Sequence, residues 1–235
     1  MDLLLAVAEC ECSKARGRLL HTSYDCRFRD EVACAGAPLA ILEPSRREGV
    51  FIGATSQYCI ADNVSLAICG KDPGALKHSL QVADACRFKD VRYVEGDFVS
   101  WTMSEILQQE SRTYDATVGN PPFVRYRYLE SDIQDATQSL YAVLGKKLTK
   151  HSNLWVAFVM AASEMLNPGG RLAMVIPEEI STVLYAAETR KTLERLCSKV
   201  VMVASHDRKF ENTLQGFVVL MAEKNKQSRC VIFDS

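Results

Sequence analysis

An α/β fold with a doubly wound, mainly parallel sheet is the class this sequence predicts, on three observations. Short runs rich in apolar and β-branched residues alternate with helical segments from Leu39 to Ala222. Hydrophobic residues make up 48% of 235 positions, enough for one sizeable core and too many for a disordered chain. One strand candidate runs into Gly119-Asn120-Pro121-Pro122-Phe123, a stiff turn carrying an amide and an aromatic ring. In open α/β sheets, ligands bind at that end of a strand.

The elements follow in order. Residues 1–37 show no clear periodicity and read as an N-terminal arm or helix. Leu39–Glu43 is a compact first strand ending in an acid, followed by a turn and a helix from Val50 to Ile60. Val64–Cys69 is a second buried strand. Gly70-Lys71-Asp72-Pro73 then leads into a helix from Gly74 to Cys86, with Pro73 in its first turn, where a missing N–H costs nothing. Val91–Glu95 is the third strand and Trp101–Glu110 the next helix, which Asp97 is placed to cap. Tyr114–Val118 is the fourth strand, and it must stop at Pro121-Pro122 because neither proline can donate to a ladder.

Tyr128–Lys150 is long and polar and reads as a lid. Asn153–Leu166 is an amphipathic helix with Leu154, Ala157, Phe158, Ala161 and Met165 on one face, ended by Asn167-Pro168-Gly169-Gly170. Leu172–Pro177 is the fifth strand, Thr182–Cys197 a helix, Lys199–Ala204 the sixth strand and Phe217–Ala222 the seventh. The domain reading is 1–37 arm, 38–225 catalytic domain and 226–235 tail.

Bulk properties narrow the function. No apolar run approaches the ~20 residues of a membrane span, and Asp2 stands where a signal peptide needs positive charge. A cytoplasmic protein with no membrane partner is expected. The nine cysteines are scattered, without zinc-site spacing, and read as buried thiols. No metal is implied. Net charge is −1, yet Arg125, Arg127, Lys146, Lys147 and Lys150 outnumber three acids beside the Asn120 turn, as phosphate contacts require.

The Asn120 turn suits one kind of chemistry. The amino group of adenine is a poor nucleophile because its lone pair is delocalised into the ring. Acceptors set against its two hydrogens pull the nitrogen toward tetrahedral geometry and free that pair. The Asn120 side-chain oxygen and the Pro121 carbonyl are candidates, with Phe123 stacking on the base. Acceptors fixed in advance need no reorganisation during reaction.

From Pro38 to Glu223 the chain resembles the adenine-specific (N6) DNA methyltransferases of restriction–modification systems, which use S-adenosylmethionine. Asn120-Pro121-Pro122-Phe123 followed by Val124-Arg125-Tyr126 is typical of that group. The resemblance implies a Rossmann-like, seven-stranded, mainly parallel sheet with the last strand antiparallel. It implies Asn120, Pro121, Pro122 and Phe123 as catalytic. It also implies cofactor contacts at Glu43, Pro44 and Gly49 in the first motif, Asp72 in the second, and Asp97 and Phe98 in the third, where the aromatic packs on the cofactor's ring. Asn120 is counted among these contacts as well. Phe210 corresponds to a base-pocket phenylalanine, and Gly17 with Thr22-Ser23 to a worn N-terminal cofactor signature.

Two positions depart from the pattern. Arg47 replaces the first glycine of its turn, and Gly70 replaces the acid that binds the ribose hydroxyls. They predict weakened cofactor binding. The partner implied is DNA with a flipped adenine. Relatives usually continue into a target-recognition domain, so a separate specificity or nuclease subunit is expected too. The alternatives are a methyltransferase of RNA adenine or protein glutamine, which share the turn, and a truncated or inactive methyltransferase-like binding subunit.

Overall fold

The computed structural model describes residues 39–45, 52, 63–71, 74, 81–83, 86–107, 113–204 and 216–227. Seven strands form one sheet: β1 (Leu39–Glu43), β2 (Val64–Gly70), β3 (Asp90–Glu95), β4 (Tyr114–Gly119), β5 (Leu166–Pro177), β6 (Cys197–Ala204) and β7 (Phe217–Lys224). Their order is β3-β2-β1-β4-β5-β7-β6. The pairings from β3 to β5 are parallel, and β7 runs antiparallel to both its neighbours. The Rossmann-like sheet expected from the sequence is the one observed.

Alternation along the strands builds two cores. Leu42, Ala67 and Cys69 face one side, with the helices α1 (Phe98–Leu107), α2 (Ser131–Val143) and α3 (Leu154–Glu164). Ile41, Leu66 and Ile68 face the other, against Ile52 and Ala83. Each fully buried aliphatic chain contributes about 1.5–3 kcal/mol relative to leaving it exposed. Among the described residues, no helix is long and apolar enough to cross a membrane.

Several elements differ from the expectations. The polar stretch from Tyr128, read as a lid, has regular structure. It holds α2, which buries Ile133, Thr137, Leu140 and Tyr141. Their spacing of i, i+4, i+7 and i+8 draws one apolar stripe along a polar helix. The helix α3 is buried along its whole length rather than on one face. It lies between the sheet and the helices α1, α2 and α4 (Ala187–Leu196), so no side meets solvent. The fifth strand begins at Leu166, and its pairing with β4 shifts register between Tyr114 and Ala116. Gly169, at φ +80°, lets the backbone bend there. The helix after β5 starts five residues later than expected, behind two short 3₁₀ turns at Glu178–Ser181 and Leu184–Ala186.

Away from the candidate site, Lys224 is buried and its ammonium donates to the carbonyls of Glu164 (2.8 Å) and Leu166 (2.9 Å). Arg195 Nη2 meets the fully buried Glu164 carboxylate at 2.7 Å. Buried charged side chains are tolerated where they are paired and hydrogen-bonded in this way.

Candidate active site

The sheet order reverses between β1 and β4, and in open α/β sheets the crevice outside the carboxyl ends of strands at such a switch point is where ligands bind. Two of the expected motifs meet there. A Cβ on Gly119 would lie 2.8 Å from Ser45 Oγ and 3.2 Å from Pro44 Cδ, so only glycine lets the two turns approach. Sequence reasoning missed Gly119; its place directly before Asn120, at a strand end, was the available signal. Glu43 is 2% exposed beside it. Asn120 and Pro122 are half-buried, Pro121 is buried, and Phe123 is 45% exposed.

The turn is tied down beyond Phe123. Arg125 and Asn153 form an antiparallel bridge at the start of α3. Leu154 N donates to Val124 O and Tyr126 N to Ser152 O, both at 2.8 Å. The Gln134 amide donates to the carbonyls of Tyr126 (3.2 Å) and Leu129 (2.9 Å). β4 ahead of Asn120, and the two prolines and these bonds after it, leave the backbone of the turn little freedom.

The ends of β2 and β3 continue the same edge. Asp97 Oδ1 accepts from Val99 N (2.9 Å), Ser100 N (3.0 Å) and Ser100 Oγ (3.3 Å), so it caps α1. The helix therefore starts at Phe98, three residues before the expected Trp101. Burial pushes the Asp97 carboxyl above the usual range, and the two amides, the Ser100 hydroxyl and the Lys71 charge pull back against it. Its other oxygen, Oδ2, takes part in none of the three cap bonds.

Phe98 sits deeper than the resemblance implies. It is 1% exposed, with its ring 5.0 Å from Phe158 and 6.0 Å from Trp101. Those neighbours take the contact area that packing on a cofactor ring would need. At Gly70 the backbone carbonyl accepts from Tyr93 OH (2.7 Å) and Gly96 N (3.0 Å). Lys71 reaches Glu130 at 2.5 Å, an exposed pair that joins this edge to the segment after the Asn120 turn. Gly49, Asp72, Arg47, Phe210 and the Gly17 and Thr22 signature lie outside the described residues.

Burial raises the Cys69 thiol to about 12, with the Asp97 charge adding to the effect, and the Cys197 thiol to about 11. Both stay protonated near neutrality, so neither is poised as a nucleophile.

Comparison with known proteins now bears on this site. The model of the Eco57I restriction-modification methylases matches residues 71–209, more than half of the chain and inclusive of the Asn120 turn. The chain belongs to that family. It is 26% identical to the Type II methyltransferase M.PstI of Providencia stuartii over 166 residues, which are 65% of this chain and 31% of that one. The chain thus spans about a third of the length of that curated relative. Two solved structures share the fold. One is a Listeria monocytogenes protein assigned to the class I S-adenosylmethionine-dependent methyltransferases (TM-score 0.61, 13% identity, 81% of this chain and 55% of that one). The other is DrdV in complex with DNA (TM-score 0.64, 14% identity, 97% of this chain and 26% of that one).

In this Eco57I-family chain a cleft of about 310 Å³ opens beside the turn, lined by Phe123, Arg125, Arg127, Lys150, His151, Asn153, Glu179 and Tyr185. Of the expected basic patch, Arg125, Arg127 and Lys150 reach it. Lys146 does not: it turns to Glu188 at 3.4 Å. Tyr185 OH donates to Glu179 Oε1, and burial together with that carboxylate pushes the phenol well above its usual range. Glu179 and Tyr185 escaped sequence reasoning because a loop beyond β5 and a turn before α4 carry no pattern linking them to residue 123.

Proposed function

We propose that this chain transfers a methyl group from S-adenosylmethionine to the exocyclic N6 amino group of adenine in DNA, within a restriction–modification system. The observation that carries the reading is the Asn120-Pro121-Pro122-Phe123 turn, clamped at the sheet's switch point in a member of a methylase family. Residues 38–225 are taken as the catalytic domain. A separate specificity or nuclease subunit is the protein partner this reading carries.

The crevice suits the cofactor's polarity. Among the described residues Ser45 Oγ is buried there without a hydrogen-bond partner, and the space beside Gly96, at φ +146°, is open. Glu43, Pro44, Asp97 and Asn120 would hold the cofactor, together with Gly49 and Asp72 from their motifs. Phe98 would support the site from beneath by fixing the Asp97 cap. When bound, S-adenosylmethionine would supply the methyl group from its sulfonium, leaving a neutral thioether, with the displaced amino proton lost to solvent. Asn120 Oδ1 and the Pro121 carbonyl accept from the two amino hydrogens and localise the nitrogen lone pair. Phe123, exposed at the mouth, stacks on a base flipped out of the duplex. Pro122 stiffens the clamp.

Gly70 favours a second reading, a methyltransferase-like subunit with weak cofactor affinity. No carboxylate stands at that position, and its carbonyl is already engaged. Calorimetry with S-adenosylmethionine separates the two: micromolar affinity supports the enzyme. Absence of binding, restored by Arg47→Gly, supports the subunit. The substrate test is incubation of the protein and methyl-labelled cofactor with DNA, RNA and protein pools. Label recovered as N6-methyladenine from DNA is the expected result; label in protein alone, or in RNA alone, would overturn the DNA assignment.

A further inference from the structure

We infer that the cleft beside the Asn120 turn is a phosphodiester subsite, in which Arg125, Arg127, Lys150 and His151 grip the backbone of the strand that carries the target base. This rests on the reading above and adds to it where the nucleic acid is held. The cleft's volume of about 310 Å³ is at the small end of ligand clefts. Its wall is polar, and its one aromatic neighbour on the turn is Phe123, the proposed base-stacking ring. Base and backbone would thus be received side by side on one rigid segment. Among the described residues none of Arg125, Arg127 and Lys150 is in a salt bridge. Three cationic side chains line the cleft, Arg127 stacked over the Tyr128 ring at 4.6 Å and donating to its hydroxyl at 2.8 Å, while Lys146, a few residues away, pairs with Glu188.

Among the described residues Glu179 is the single carboxylate in this wall. Tyr185 OH holds one of its oxygens, and Arg190 fixes the loop that carries it through the carbonyls of Ile180 (2.6 Å) and Val183 (3.0 Å). A carboxylate fixed among cations competes with an incoming phosphate. It holds the basic groups apart from adventitious anions and lowers affinity for any strand that makes few contacts.

The test is equilibrium binding of a short fluorescein-labelled single-stranded DNA containing one adenine, by anisotropy, without cofactor and across a salt series. Arg125→Gln and Lys150→Gln should each weaken binding about fivefold or more and reduce the slope of log affinity against log salt by about one contact. Glu179→Gln should tighten binding several-fold. With methylphosphonate linkages flanking the adenine, the Arg125 and Lys150 effects should vanish. Unchanged salt slopes in both Arg125→Gln and Lys150→Gln, weaker binding by Glu179→Gln, or equal binding of a charge-matched acidic peptide would overturn the inference. No turnover is needed, so the two readings fail separately. DNA bound with this charge dependence but never methylated would sink the activity alone. Methylated DNA with insensitive salt slopes would sink the subsite alone.

Discussion

Gly119→Ala probes the junction on which the site is built. The added methyl would sit 2.8 Å from Ser45 Oγ, 3.2 Å from Pro44 Cδ and 3.3 Å from Pro44 Cγ. Carbon contacts are comfortable at about 3.5–4.0 Å, so the overlap with the proline ring is a few tenths of an ångström. The hydroxyl of Ser45 can rotate aside, but the Pro44 ring is fixed to its own backbone. Overpacking of this kind costs about 1–3 kcal/mol. Relief comes by prising the two turns apart, which moves the very next residue, Asn120. Displacement of a positioned group by about 1 Å costs on the order of 10²-fold in rate. The assays are urea unfolding and transfer of labelled methyl to DNA. Ser45→Gly in the same background should recover part of the stability, since the overlap with Pro44 persists. Wild-type unfolding and wild-type transfer in Gly119→Ala would refute the claim that close approach of β1 and β4 sets the site.

Further outcomes follow at three residues. Burial raises the folded-state pKa of Asp97, so its stabilising contribution is full below the ordinary carboxylate pKa and is lost as pH rises through the raised value. Asp97→Asn keeps a good cap and removes that loss, so its stability relative to wild type should climb from acid to neutral pH in urea titrations. Asp97→Ala should cost about 0.5–2 kcal/mol through the lost cap. Lys224→Met leaves the carbonyls of Glu164 and Leu166 without that donor, at about 1–3 kcal/mol each, and should lower the thermal midpoint without changing cofactor affinity. Phe123→Ala should weaken binding of an adenine-containing strand by about 1–3 kcal/mol, with Phe123→Tyr near wild type, both read by anisotropy.

The strands were readable because a buried parallel sheet writes itself as short apolar runs, and Leu39–Glu43 and Val64–Gly70 lie where those runs fall. The Asn120 turn was readable because two prolines leave a strand no way to continue. The helix α2 was not: its four buried side chains are diluted among Ser131, Asp132, Gln134, Asp135 and Gln138, and the polar average hid the stripe. The register shift near Asn167–Gly170 is set by pairing with Tyr114, a contact between distant parts of the chain. Asp97 shows how one residue answers two descriptions. A short acid after a strand and ahead of a helix fits both a cap and a ligand, and the sequence puts the ligand first. The structure puts Oδ1 in the cap, and the ligand role is proposed for the same carboxylate. The cleft residues around Glu179 and Tyr185 could not be assembled from sequence, since tertiary packing alone brings the segment after β5 to the segment after β4.

The central claim is that two fixed oxygens make an inert nucleobase amine reactive. Single-turnover methyl transfer by Asn120→Ala, at saturating S-adenosylmethionine and with cofactor affinity measured on the same protein, tests it most directly. The rate should fall by about 10²–10³-fold or more with affinity changed only a few-fold. Transfer at the wild-type rate, or a lost rate traced wholly to lost cofactor affinity, would contradict it.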